Sequence, residues 1–184
     1  NPIVQMGLFM DGDGIPLAFS INKGNMNEQL TLKPLEKKIL SDFDLSKFVV
    51  CTDAGLASER NRKFNDKKDR AFIATQSIKK LKAHLKEWAL DPNGWCLPND
   101  VKNYDISKLD DEKDRNKTFY KERWIKENGL EQKLIVTYSI KYRDYQRKIR
   151  NSQIERAQKA IDSNPAKIKK CHQNDYKRFI KKSL

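Results

Sequence analysis

In the stretch Phe48-Val49-Val50-Cys51-Thr52-Asp53-Ala54-Gly55, an apolar run ends on a carboxylate and turns at once into a glycine. Such a run reads as a strand buried on both faces in a parallel or mixed α/β sheet. Asp53 then sits at the strand's carboxyl end, where open α/β sheets hold their ligands. The competing reading makes Asp53 a turn or cap residue, a common use of Asp between strand and helix, and the local sequence leaves both open. Asp11 and Asp13 in Asp-Gly-Asp-Gly point to turn chemistry, because the remaining carboxylates of a calcium loop do not follow. Cys51, Cys96 and Cys171 are widely separated and form no Cys-x-x-Cys pair, so neither a disulfide framework nor a zinc site is indicated. His84 and His172 lie far apart in sequence and read as surface residues.

The elements that must position Asp53 follow from hydrophobic spacing. Two strand-like runs flank Asp11–Gly14 and predict a hairpin. Leu30, Leu32, Leu35, Ile39 and Leu40 approximate helical spacing, with Asn25 or Asn27 available as a cap, Glu28 in the first turn, and the helix proper expected to begin at Pro34. The strand ending at Asp53 comes next, then a short helix that Ser58 is placed to cap, then a strand over 70–75. The order through residue 75 is β-β-α-β-α-β. Residues 76–184 change character, being polar, lysine-rich and punctuated by Pro92-Asn93-Gly94 and Pro98, which predicts an inserted region. Within it, Asn128-Gly129 predicts a hairpin near 118–140, and a helix is expected near 142–161. On that helix Tyr142, Tyr145, Ile149 and Ala160 share a face, with Arg143, Arg147 and Arg150 along one flank and Lys141, Lys148 and Lys159 along the other. The tail beyond it is basic, has little apolar content, and reads as poorly ordered.

Charge narrows the class of partner. The chain of 184 residues carries a net +13, yet residues 1–75 hold 11 Lys and Arg against 10 Asp and Glu, so nearly all the excess lies in residues 76–184. A concentrated positive field favours polyanions, because each neutralised phosphate releases a condensed counterion. Nucleic acid is the leading candidate, and a solvated basic surface is the plain alternative. Arg143, Arg147 and Arg150 are the first candidates for DNA contact, with Lys79, Lys80 and Lys82 next. Trp88, Trp95 and Trp124 are candidates for stacking on an extruded base, although core packing is the commoner use. No apolar stretch approaches the roughly 18 to 20 residues needed to cross a bilayer, and the N-terminal residues lack the basic region of a signal peptide. A cytosolic location is expected.

Taken together, 1–39 with Gly24-Asn25-x-x-Glu28, Phe48–Asn61 with Asp-Ala-Gly-Leu, 71–90 and 134–161 resemble the IS4 superfamily of bacterial insertion-sequence transposases, close to its IS1634-like group. The similarity runs over most of the chain and is weakest in 95–118. It implies an α/β fold: a partial RNase H-like mixed sheet with an inserted basic, partly β region and a long helix. It also implies DNA cutting and joining by two Mg²⁺ or Mn²⁺ ions on an Asp, Asp, Glu set, with Asp53 as the second Asp, both catalytic residue and metal ligand. Two such ions would serve the attacking and leaving oxygens of phosphoryl transfer. The implied partners are transposon-end DNA and a second copy of the chain, and the implied location is the bacterial cytoplasm at the nucleoid.

The chain departs from the family pattern in two places. The family's first Asp is expected upstream of Asn1. Its Glu lies in a Tyr-x2-Arg-x3-Glu-x6-Lys helix, and Glu155 fails that pattern because Lys148, Asn151 and Asp162 occupy the other positions. Tyr120, Arg123 and Glu127 fit its first three places, but Leu134 stands where Lys is required, and Asn128-Gly129 would break a helix directly after the Glu. A hairpin is the better reading there, and the true Glu is expected beyond Leu184. On this reading the chain is an internal or truncated piece that binds DNA without cutting it. The alternative is a non-catalytic nucleic-acid-binding or inhibitory module in which Asp53 is structural.

Overall fold

The structure, a computed structural model, describes residues 3–45, 47–163 and 176–180. It is a mixed α/β arrangement with four α-helices and three two-stranded sheets among these residues. The elements are β1 (Val4–Met10), β2 (Pro16–Lys23), α1 (Leu32–Asp42), β3 (Phe48–Thr52), α2 (Glu59–Asn65), β4 (Arg70–Ala74), α3 (Ala83–Leu90), β5 (Phe119–Glu127), β6 (Leu130–Tyr138) and α4 (Ile140–Ser163). The chain divides into two compact units, the first comprising residues 1–89 with 126–132 and the second 90–125 with 133–184. The expectations for Cys171, His172 and most of the basic tail lie outside the described residues.

In the first unit β1 and β2 pair antiparallel, from Val4 opposite Lys23 to Phe9 opposite Ala18. The turn between them is made as its residues require. Asp11 Oδ1 accepts from the Asp13 and Ile15 amides at 3.0 and 2.8 Å, and Gly14 takes a φ of 84°. Helix α1 buries Leu32, Leu35 and Ile39, and Leu35 lies under the Gly7–Ser20 face of the hairpin. It begins at Leu32, two residues before Pro34, because proline is tolerated throughout the first turn of a helix. Strands β3 and β4 pair parallel, Phe48 opposite Arg70 through Thr52 opposite Ala74. Burial on both faces is not found in β3: Val50 is 3% exposed but Val49 is 57% exposed. Burial alternates along both strands of this pair, so one face is open to solvent.

The second unit is built on an aromatic cluster. Trp95 and Phe119 are buried, with Tyr138 edge-on to Trp95 at 5.8 Å and Tyr104 edge-on to Phe119 at 5.3 Å. Lys121 is buried beside it, donating to the Asp91 carbonyl at 2.7 Å with its ammonium 5.0 Å from the Trp95 ring. Burial pushes that ammonium's pKa down. Asp91, Asp100, Asp105 and Asp110 each accept from an amide two residues on, a run of Asx turns through 90–113 that replaces regular elements. The tip of the β5–β6 hairpin, residues 126–132, belongs to the first unit; it turns at Asn128 and Gly129, with φ values of 51° and 79°, and Asn128 donates to Glu59 of the same unit at 2.7 Å.

Candidate functional site

Asp53 stands just past β3 and acts as the turn residue of its loop. Its Oδ1 accepts from the Gly55 amide at 2.9 Å and the Leu56 amide at 3.2 Å. The loop runs on to Ser58, whose hydroxyl caps α2 by accepting from the Asn61 amide at 3.3 Å. The buried Asn61 side chain then donates to the Leu56 carbonyl at 2.8 Å and to the Gln29 carbonyl at 3.0 Å. These two hydrogen bonds draw the 3-10 turn Glu28–Leu30 against the Asp53 loop. As a result Glu28 Oε2 and Asp53 Oδ1 each lie 3.2 Å from the point where a Cβ on Gly55 would sit. A side chain at residue 55 would therefore have to push one of the two carboxylates aside by a few tenths of an ångström. Sequence reasoning singled out Asp53 but not Glu28 as its neighbour, and the signal was the Gly24-Asn25-x-x-Glu28 segment.

Gly24 in that segment is equally constrained. Its amide donates to the Ile3 carbonyl at 2.9 Å, and a Cβ at residue 24 would run into that same carbonyl. The backbone approach fixes how the chain leaves β2 on its way to Glu28.

Carboxylate oxygens are the donor type that Mg²⁺ or Mn²⁺ takes, so Asp53 and Glu28 fit such an ion in kind. They do not fit a two-ion centre in number. No group of three or more His, Cys, Asp or Glu residues able to hold a metal occurs among the described residues. Glu127 ends strand β5 and is ion-paired with Lys82 at 3.0 Å. Alternation along a strand sends Tyr120 and Arg123 to opposite faces, so the motif's side chains do not converge.

The basic candidates fall into two groups, and each group is divided by its partners. On α4, Arg143 is committed to structure: its guanidinium donates to both carboxylate oxygens of Asp111 at 3.0 and 2.8 Å and to Asp144. Those hydrogen bonds raise the arginine's pKa and hold both aspartates below their ordinary range. Asp144 also takes Arg115 at 3.1 Å. Arg147 and Arg150 are exposed, and no side-chain hydrogen bond or ion pair engages them among the described residues. Lys79 and Lys80 are likewise exposed on a 3-10 turn of the first unit, whereas Lys82 holds Glu127.

The stripe expected on α4 is formed but uncovered in its first half. Tyr142 and Tyr145 are 63% and 57% exposed, their ring centroids 6.2 Å apart, and Ile149 lies a turn further along. The second half is used, with Ala157 buried and Gln153 accepting from Arg178 at 2.8 Å. Of the tryptophans, Trp95 is core and Trp88 half-buried, while Trp124 is open to solvent with Lys133 5.5 Å from its ring. His84 is exposed, and Cys51 and Cys96 are free thiols.

Compared with known proteins, the chain matches no family model, no curated protein and no solved structure.

Proposed function

We propose that this protein binds nucleic acid, with Arg147 and Arg150 of α4 as its central phosphate contacts. The observation that carries the reading is the division of charge on α4. Asp111 and Asp144 are consumed by Arg143 and Arg115, which leaves Arg147 and Arg150 exposed and unpaired. Arg147 lies close enough to Asp111 to feel its charge, but neither Arg147 nor Arg150 forms an ion pair among the described residues, so each is available to a phosphate at no cost in broken ion pairs. Arg143 is a positioning residue on this reading, and Lys79 and Lys80 are candidate phosphate contacts of the first unit by itself. The resemblance to insertion-sequence transposases specifies the nucleic acid as transposon-end DNA. The test is the slope of log affinity against log salt for duplex DNA. Arg147→Ala with Arg150→Ala is expected to reduce that slope by about 2, one phosphate contact per arginine. An unchanged slope removes α4 from the interface.

A second reading adds strand cleavage and transfer on an RNase H-like core. It is supported by the placement of Asp53 at a strand's carboxyl end, by Glu28 beside it, and by the β-β-α-β-α-β order of the first unit. Here Asp53 is a catalytic and metal-binding residue, and pairing with a second copy belongs to the same reading. Mg²⁺- or Mn²⁺-dependent nicking of DNA that disappears in Asp53→Ala would support it. Nicking that persists in that variant would assign the activity elsewhere. Binding without any nicking leaves the module non-catalytic or inhibitory, with Asp53 and Glu28 serving the loop alone.

A further inference from the structure

We infer that the first half of α4 is a stacking platform for unpaired bases, which makes single-stranded nucleic acid the preferred ligand of the site proposed above and rests on that reading. Tyr142, Tyr145 and Ile149 follow the i, i+3, i+7 spacing that keeps side chains on one helix face, and all three are exposed. The Tyr142 and Tyr145 rings, tilted by 32°, form an open aromatic surface. Lys141 and Lys148 border it on one side, and Arg150 with Arg147 borders it on the other. All four are exposed, so phosphates on either side of a stacked base meet a cation. The nearest acids do not oppose this, because Asp111 and Asp144 are neutralised by arginines. Glu155 is the next acid along the helix, more than a turn beyond Ile149.

The choice of strand form follows from what aromatic rings can bind. A duplex buries its base faces in its own stack and offers a helix mainly phosphates and groove edges, for which arginines suffice. A single strand presents base faces, and aromatic rings between basic edges are the feature that binds them without sequence preference. An apolar protein partner would gain from the rings but would have to strip water from four cations, so the basic borders favour the polyanion.

Fluorescence anisotropy with a labelled thymidine oligonucleotide, and with a duplex of equal length at the same salt, tests the assignment. Tyr142→Ala with Tyr145→Ala is expected to weaken single-strand binding by on the order of 10-fold or more and to leave duplex binding nearly unchanged. Tyr142→Phe with Tyr145→Phe, which keeps the rings, is expected to retain single-strand affinity. Both positions are exposed, so an unchanged circular dichroism spectrum verifies that each variant folds. Equal affinity for both ligands, insensitive to the alanine changes, overturns the platform while leaving nucleic-acid binding intact. Duplex binding without single-strand binding overturns the platform alone, and failure of both ligands to bind even at low salt overturns both readings. Tyrosine-dependent self-association in sedimentation, without oligonucleotide binding, overturns the platform and gives the face to a protein partner.

Discussion

At the residue scale, the sharpest conflict in the first unit is at Glu36. Its side chain is buried, Oε1 accepts from Asn65 Nδ2 at 2.9 Å, and Oε2 and Asn65 Oδ1 are both buried with no partner. Burial pushes the Glu36 pKa up, against the pull of the Asn65 hydrogen bond and the Arg70 charge. A raised folded pKa means that the neutral acid is the form the fold favours. Its stabilising contribution is present below the ordinary glutamate value of 4.5 and is lost as pH rises through the raised one. Glu36→Gln keeps an acceptor for Asn65 Nδ2 and supplies an amide donor toward Asn65 Oδ1. The variant is expected to be more stable than the parent at pH 7 by about 1 kcal/mol, the worth of one buried hydrogen bond. It should also lose the pH dependence above the glutamate range. Urea titrations of both proteins at about pH 4 and about pH 7, below and above the usual glutamate range, check both statements. A loss of stability at pH 7 would mean that the ionised carboxylate is preferred.

At the scale of elements, the β1–β2 hairpin turns the less apolar of its two sides inward. Gln5, Gly7, Phe9, Ala18, Ser20 and Asn22 are half-buried, while Val4, Met6, Leu8, Met10, Phe19 and Ile21 are exposed. Alternation in the sequence locates the two faces, but period 2 alone does not say which one meets the helix. The small residues decide it, since Gly7 and Ser20 leave room for Leu35. Because Phe19 is exposed, Phe19→Lys should shift unfolding stability by no more than about 0.5 kcal/mol, the range of ordinary surface changes. Thermal unfolding at two protein concentrations is the measurement. A larger, concentration-dependent loss would show that a second copy covers this face. On α4 the helical spacing was legible for the same reason that it is ambiguous: a Tyr, Tyr, Ile stripe looks alike whether it is core or contact surface.

At the scale of the whole molecule, charge asymmetry is a sequence property, but its availability is not. Residues 76–184 carry nearly all of the +13 excess. Ion pairing withdraws Arg115, Arg143 and Lys117 from it and spares Arg147 and Arg150. Among the described residues, no helix is long and apolar enough to cross a membrane. The residual affinity after Arg147 and Arg150 are removed therefore measures how much binding is diffuse attraction to the remaining cations rather than the α4 footprint.

The sequence by itself determined the features that depend on neighbouring residues. These are the Asp11–Gly14 and Asn128-Gly129 turns, the Ser58 cap, the order of strands and helices through residue 75, and the long helix with its striped face. Each rests on backbone conformations or capping bonds made within a few residues, which local chemistry dictates. Only the tertiary structure decided the rest. It brought Glu28 to Asp53 through the bonds of Asn61, gave Arg143 to Asp111 across 32 residues of chain, buried Trp95 but not Trp124, and left one face of β3 open. Those outcomes depend on which distant side chains meet, and periodicity carries no record of a partner's identity.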